Sequence, residues 1–178
     1  MTRYAAFLRA INVGGHVVKM DALRRQFLGL GLTNVETYIA SGNVVFDSRA
    51  RDGATLERRI ADHLRRALGY EVATFLRTAA ELAEIARYRP FAEDGASLFV
   101  GFLPKPLDAA ARRIVLSLRP SGDEFALHRR ELFWLCRTRF SDAEFSPARM
   151  EKALGMPATF RGANTVRKMA ERFGGASA

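Results

Sequence analysis

Tyr4-Ala-Ala-Phe-Leu-Arg-Ala-Ile-Asn-Val-Gly-Gly15 begins as an apolar run, turns polar at Arg9 and Asn12, and ends on two glycines. The run predicts a strand over Arg3 to Leu8. Gly14 and Gly15 predict a turn in which the backbone can approach another group closely. A helix follows from near Asp21 to Leu30, with Leu23, Phe27 and Leu30 at helical spacing and Gly31 as its stop. Strand, glycine turn, helix is a layout that holds an anion or a polar ligand, because a helix start offers unpaired N–H groups.

The next elements fix the topology. Val35 to Ala40 and Val44 to Phe46 read as strands, joined by the hairpin turn Ser41-Gly42-Asn43. Leu56, Ile60, Leu64 and Leu68 line the inner face of a helix over Ala54 to Leu68, which Gly69 ends. Val72 to Leu76 is a fourth strand. The order is βαββαβ, the ferredoxin-like split unit. In that unit strands one and three are adjacent, so if they pair antiparallel, Arg9 and Asn12 should converge with Ser41 and Asn43. A third helix over Ala79 to Arg87 is closed by Pro90.

The second half repeats the opening of this order. Ser97 to Leu103 is a strand apolar on both faces, which predicts a central, covered position. Leu107, Ala111, Ile114, Val115 and Leu118 make an amphipathic helix. Phe125 to His128 and Leu132 to Cys136 form a hairpin turning at Arg129-Arg130. Ser146-Pro147 opens a short helix that stops at Gly155, with Pro157 beyond. The last helix starts at Asn164 or Thr165 and turns Val166, Met169, Ala170 and Phe173 inward. The tail Gly174 to Ala178 is expected to fray. The expected fold is α+β: a ferredoxin-like βαββαβ unit with its linking helix over 1–90, then a related β-α-β-β half over 91–178 with helices in place of the last strand. Phe91 to Gly95 is the expected boundary.

The formal net charge is +9 and the pI about 10.5, and arginine supplies almost all of the excess, since Lys19, Lys105, Lys152 and Lys168 are the only lysines. Such a balance fits a phosphate-bearing or nucleic-acid partner. The plainer reading is a solvated surface: Arg24-Arg25, Arg58-Arg59 and Arg65-Arg66 lie on helix faces, interleaved with Glu57 and Asp62. No apolar stretch approaches the ~20 residues of a membrane helix. A strand that starts almost at Met1 leaves no room for a secretory signal. Cys136 is the sole cysteine and sits in the apolar run Leu132 to Cys136, where a buried inert thiol is expected. A cytoplasmic address follows.

Chemistry-bearing residues gather at three places. Arg9, Asn12, Gly14 and Gly15 lack the third glycine of a dinucleotide fingerprint and the Gly-Lys-Ser/Thr of a P-loop. A structural turn explains them equally, but strand-end loops are where ligands usually sit. Ser41-Gly42-Asn43 is satisfied by a tight hairpin, since Asn and Gly tolerate positive φ. A nucleophilic Ser41 would need a base; of His16, His63 and His128, only His16 adjoins the glycine loop. Thr159 to Lys168 offers Arg161, Asn164 and Thr165 at a helix start, which is either an anion cradle or an ordinary capped helix. Three scattered histidines and one cysteine give no metal spacing. The aromatics Tyr4, Phe7 and Phe46 fall short of the RNA-recognition motif.

The chain resembles a bacterial family called domain of unknown function 1697. The likeness rests on Leu8-Arg9-Ala-Ile11-Asn12-Val13-Gly14-Gly15, on Met20 and Leu23, on Val35, Thr37-Tyr38-Ile39, Ser41-Gly42-Asn43-Val44 and Phe46, and on Arg161, Asn164-Thr165-Val166. The resemblance implies an α+β fold of ferredoxin-like halves in which two polar loops and the last helix start recur together. It brings no activity with it. The family usually shows Arg-Asn-Trp-Asn-Thr near its C-terminus, where this chain has Gly162 and Ala163 in place of Asn-Trp. The leading expectation is binding of a small anionic ligand or nucleic acid by Arg9, Asn12, Gly14, Gly15, Ser41, Asn43, Arg161, Asn164 and Thr165, with no cofactor, metal or membrane. Two alternatives stay open: an enzyme working at the same loops, and an assembly module whose strand edges form a homodimer.

Overall fold

The computed structural model describes residues 1–12, 15–92, 97–118, 122–137 and 146–174. The chain runs β1 (Thr2–Leu8), α1 (Met20–Gly29), β2 (Thr33–Tyr38), β3 (Asn43–Ser48), α2 (Gly53–Leu68), β4 (Thr74–Thr78) and α3 (Ala79–Arg87). It continues with β5 (Ser97–Phe102), α4 (Ala109–Ser117), β6 (Glu124–His128), β7 (Glu131–Cys136), α5 (Pro147–Leu154), β8 (Thr159–Gly162) and α6 (Ala163–Phe173). The fold is α+β, with two 4-stranded antiparallel sheets. Two compact units share the chain: Met1–Glu84 with Met169–Ala178, and Ile85–Lys168. Of the expected features, Val13, Gly14, residues 93–95 of the boundary segment and residues 175–178 of the tail lie outside the described residues.

The first unit has the strand order β2-β3-β1-β4. Residues alternate across a strand, so one face of this sheet carries Tyr4, Ala6, Leu8, Val44, Phe46 and Leu76. Leu23 and Phe27 of α1 and Leu56, Ile60 and Leu64 of α2 pack on that face. Each such side chain, fully buried, contributes about 1.5–3 kcal/mol. Ala5, Phe7, Val45 and Phe75 on the opposite face are buried as well. The helix stop read at Gly69 holds: it caps α2 in the left-handed conformation at φ 81° and donates to Arg65 O at 3.0 Å.

The second unit has the order β6-β7-β5-β8, which is the first unit's connectivity over again. β5 is central, as its two apolar faces require, and Gly101 on it makes room for Phe160, since a Cβ there would lie 2.6 Å from the ring. The hairpin turns at Arg129, which takes a φ of 50°. The buried Trp134 donates its indole N–H to the buried Asp123 at 2.8 Å. One element differs from the sequence expectation. Helices do follow β7, but β8 comes between them and pairs antiparallel with β5, Val100 opposite Arg161. The unit is therefore a complete βαββαβ. With 4 residues between the Pro157 corner and a helix start, β8 is too short to display an alternating pattern.

Among the described residues no helix is long and apolar enough to cross a membrane, and no His, Cys, Asp and Glu group could hold a metal ion. Cys136 is free and buried.

Candidate functional site

The antiparallel pairing of β1 with β3 sets Phe7 opposite Asn43, so the chain leaving β1 passes beside the turn that enters β3. Three sets of hydrogen bonds tie the loops down. The Leu8 N–H donates to Gly42 O at 2.8 Å, and the Arg9 N–H donates to Ala73 O at 2.9 Å. Asn12 Nδ2 donates to Ala40 O at 3.1 Å while its Oδ1 accepts from the Val18 N–H at 2.7 Å. One amide thus closes its own loop and fastens it to the other. Gly42, at φ 76°, lies so close to this junction that a Cβ would stand 2.6 Å from Ile11 Cγ2 and 3.2 Å from Leu8 Cβ.

The expected site residues divide by what their polar atoms do. Asn43 is fully buried, and its Nδ2 donates to Tyr38 O at 3.0 Å and to Ser41 Oγ at 2.8 Å. Asn12 and Asn43 are therefore the loops' internal framework. Arg9 is half-buried, Ser41 is exposed, and Gly15 is exposed at φ 88° with open space where a side chain would go. Gly14 lies outside the described residues. Arg161, Asn164 and Thr165 belong to the second unit. Arg161 is buried in β8, where its Nη1 donates to Thr159 Oγ1 at 2.8 Å and to Phe160 O at 2.9 Å; desolvation pushes its guanidinium down to about 10. Asn164 is exposed and Thr165 half-buried in the first turn of α6. Ala163 borders a cavity of about 10 Å³ with Tyr88, Phe133 and Val166.

Several contributors carried no signal in the sequence. Tyr70, just past the Gly69 cap, donates its hydroxyl to Ile11 O at 3.1 Å, and the His16 ring stacks on it at 3.8 Å and 20°. Burial raises the Tyr70 phenol above its ordinary value. Ala10 and Ile39 take φ values of 58° and 51°, a left-handed conformation that is an outlier for a β-branched residue. Helix α1 then leaves the loop with Lys19 at its N-cap and no side-chain cap, so its first N–H groups are not closed off by a capping side chain.

A second concavity of the first unit, about 530 Å³, is lined by Arg3, Arg24, Leu28, Asn34, Val35, Glu36 and Asp47. Its central cation is occupied internally. Arg3 Nη2 pairs with Glu36 at 2.8 Å, and its Nη1 reaches Asp47 at 3.2 Å and Asn34 O at 2.9 Å. An incoming anion would have to displace two carboxylates from Arg3.

The family model for a protein of unknown function, DUF1697, matches residues 1–133. The chain belongs to this family. The DUF1697 match takes in both loops, β1 to β6 and the start of β7. The C-terminal residues Arg161, Asn164 and Thr165 lie beyond it. Similarity over nearly the whole length comes from a solved structure, that of the conserved bacterial protein SP0830 from Streptococcus pneumoniae. The two are 27% identical with a TM-score of 0.76, over 97% of this chain and 98% of that one. No curated protein matches the chain.

Proposed function

We propose that this DUF1697 protein binds a small anionic, phosphate-bearing ligand over the paired loops of its first unit. The observation that carries the proposal is the uncapped start of α1, which emerges from a loop that Asn12 fastens to the Ser41 turn. Such a helix start carries partial positive charge and N–H donors. Lys19 at the cap and Arg9 on the neighbouring strand end add full charges, and Gly15 leaves the backbone open to a close approach. In this reading Arg9 supplies charge, Ser41 and the loop N–H groups orient the ligand, and Asn12 and Asn43 position the loops. Asn164 and Thr165, with the buried Arg161 beside them, are a separate polar group of the second unit and are proposed as a ligand contact in their own right. The enzyme alternative loses ground because Ser41 Oγ is engaged by Asn43 and the His16 ring by Tyr70. A cytoplasmic address is part of the same proposal, a lone buried thiol being usual where cysteines stay reduced.

Calorimetric titration with inorganic phosphate and pyrophosphate tests it, with melting temperature as a second readout. Binding is expected in the wild type, weakened by Arg9→Gln and by Lys19→Gln in variants that keep their fold. Absence of binding at millimolar anion would overturn it.

A further inference from the structure

We infer that the ligand of these loops is a nucleotide, its base stacking on the exposed His16 ring with its phosphate toward Arg9 and the start of α1. The inference rests on the anion reading above and adds the class of ligand. Its own observation is the His16–Tyr70 pair, which the anion reading does not use. The two rings are near-parallel, with centroids 3.8 Å apart. The lower ring is held firmly: Tyr70 packs against the main core of the first unit and donates to Ile11 O at 3.1 Å. The upper ring belongs to an exposed residue, so His16 is accessible to a ligand while Tyr70 backs it. An exposed ring backed by a fixed one is a stacking platform, since any base presents a π-face to it and the platform is ordered before the base arrives.

Two further features fit a ligand with an apolar part. Val17, next to His16, is 84% exposed, and Ile39, next to the Ala40 carbonyl that holds Asn12, is 52% exposed. A phosphate alone gives neither a role. Ile39 is also held at φ 51°, although an isoleucine gains nothing locally from that conformation. An apolar planar ring would cover His16, Val17 and Ile39 from water while its phosphate lay over the polar loops. The same loops therefore offer both poles of a mononucleotide.

The test compares adenosine monophosphate, inorganic phosphate and glucose 6-phosphate by calorimetric titration on the full chain. Adenosine monophosphate is expected to bind roughly 10-fold more tightly than the other two, the scale of one stacked base. His16→Ala should abolish that advantage while leaving phosphate affinity unchanged, and His16→Phe should restore it. Equal affinities for all three would overturn the nucleotide inference and leave the anion reading standing. Glucose 6-phosphate matching the nucleotide would overturn it too, by showing that bulk and not a planar ring is recognised. A full advantage retained in His16→Ala would overturn the platform. No binding by any of the three would overturn this inference and the anion reading together.

Discussion

A methyl group added at Gly42 would enter occupied space from a backbone that L-residues already avoid. The φ is 76°, and the new carbon would stand 2.6 Å from Ile11 Cγ2 and 3.3 Å from Leu8 O. Relief requires the two loops to separate, which strains the Leu8 N–H bond to Gly42 O. Gly42→Ala is expected to lower stability by about 1–3 kcal/mol, read from the midpoint of urea unfolding, and to weaken anion binding with it. An unchanged midpoint would mean that the loops are not braced at this point. Ser41 tests the opposite kind of residue. It is exposed, yet its Oγ accepts from the buried Asn43 amide at 2.8 Å. Ser41→Ala is expected to cost roughly 1 kcal/mol, because the Asn43 donor loses one acceptor. Stability lost with phosphate affinity intact would make Ser41 a supporting residue. Affinity lost with stability intact would place it against the ligand.

Elements carry the pH dependence and show what the sequence made legible. Asp52 caps α2, accepting from the Thr55 hydroxyl, from the Ala54 N–H at 3.0 Å and from the Thr55 N–H at 3.3 Å. The Thr55 hydroxyl bond, then the Ala54 N–H bond, hold its carboxyl below the ordinary 3.8. A carboxyl lowered on folding stabilises the fold fully above its unfolded value and loses that contribution as pH falls through its folded value. Melting temperature is therefore expected to drop below about pH 4, and the drop should be shallower in Asp52→Asn; parallel acid curves would exclude the cap as a cause. The start of α2 was readable because its period in Leu56, Ile60 and Leu64 is local and Gly69 ends it. The same holds for β1 and α1, whereas β2 and β4 lie two residues from the expected Val35–Ala40 and Val72–Leu76, at Thr33–Tyr38 and Thr74–Thr78, because pairing with β3 and β1 sets their bounds. β8 was not readable: its 4 residues acquire strand geometry only by pairing with β5, from which they are distant in sequence. The site divides in the same way. Gly15, Gly42 and Asn43 announce turns by residue type. The Ala40 carbonyl, the Tyr70 ring under His16 and the left-handed Ile39 are set by tertiary contacts, and a backbone oxygen looks alike in every residue.

At the scale of the whole molecule the question is where the charge of +9 acts. On α2 the outward stripe carries Arg58, Arg59, Arg65 and Arg66, all exposed, against Asp62 alone, and Arg25 is exposed on α1. Corresponding members of the two pairs stand two helical turns apart, which sets them about 10.5 Å from each other along the axis. Arg58 reaches Thr55 Oγ1 at 2.9 Å and Arg59 reaches Leu30 O at 2.8 Å, so neither is neutralised by a carboxylate in these bonds. The stripe carries no Phe, Tyr or Trp, so attraction of phosphates is its main contribution. We expect duplex DNA or heparin to retain the protein at low salt, with affinity falling linearly in log–log form as salt rises. Replacing Arg58, Arg59, Arg65 and Arg66 by Gln should flatten that slope by roughly 0.9 for each phosphate of duplex DNA that the stripe no longer neutralises. The same replacement should leave titration with inorganic phosphate unchanged, because none of the four belongs to the loops. Arg9→Gln should do the reverse. If the four helix arginines carry all of the polyanion binding, that attraction is a property of the surface and the loops are a small-ligand site. If instead the Gln variant binds DNA with its full salt slope, the charge that matters lies elsewhere, and the Arg9 and Lys19 loops become the first place to look for where nucleic acid binds.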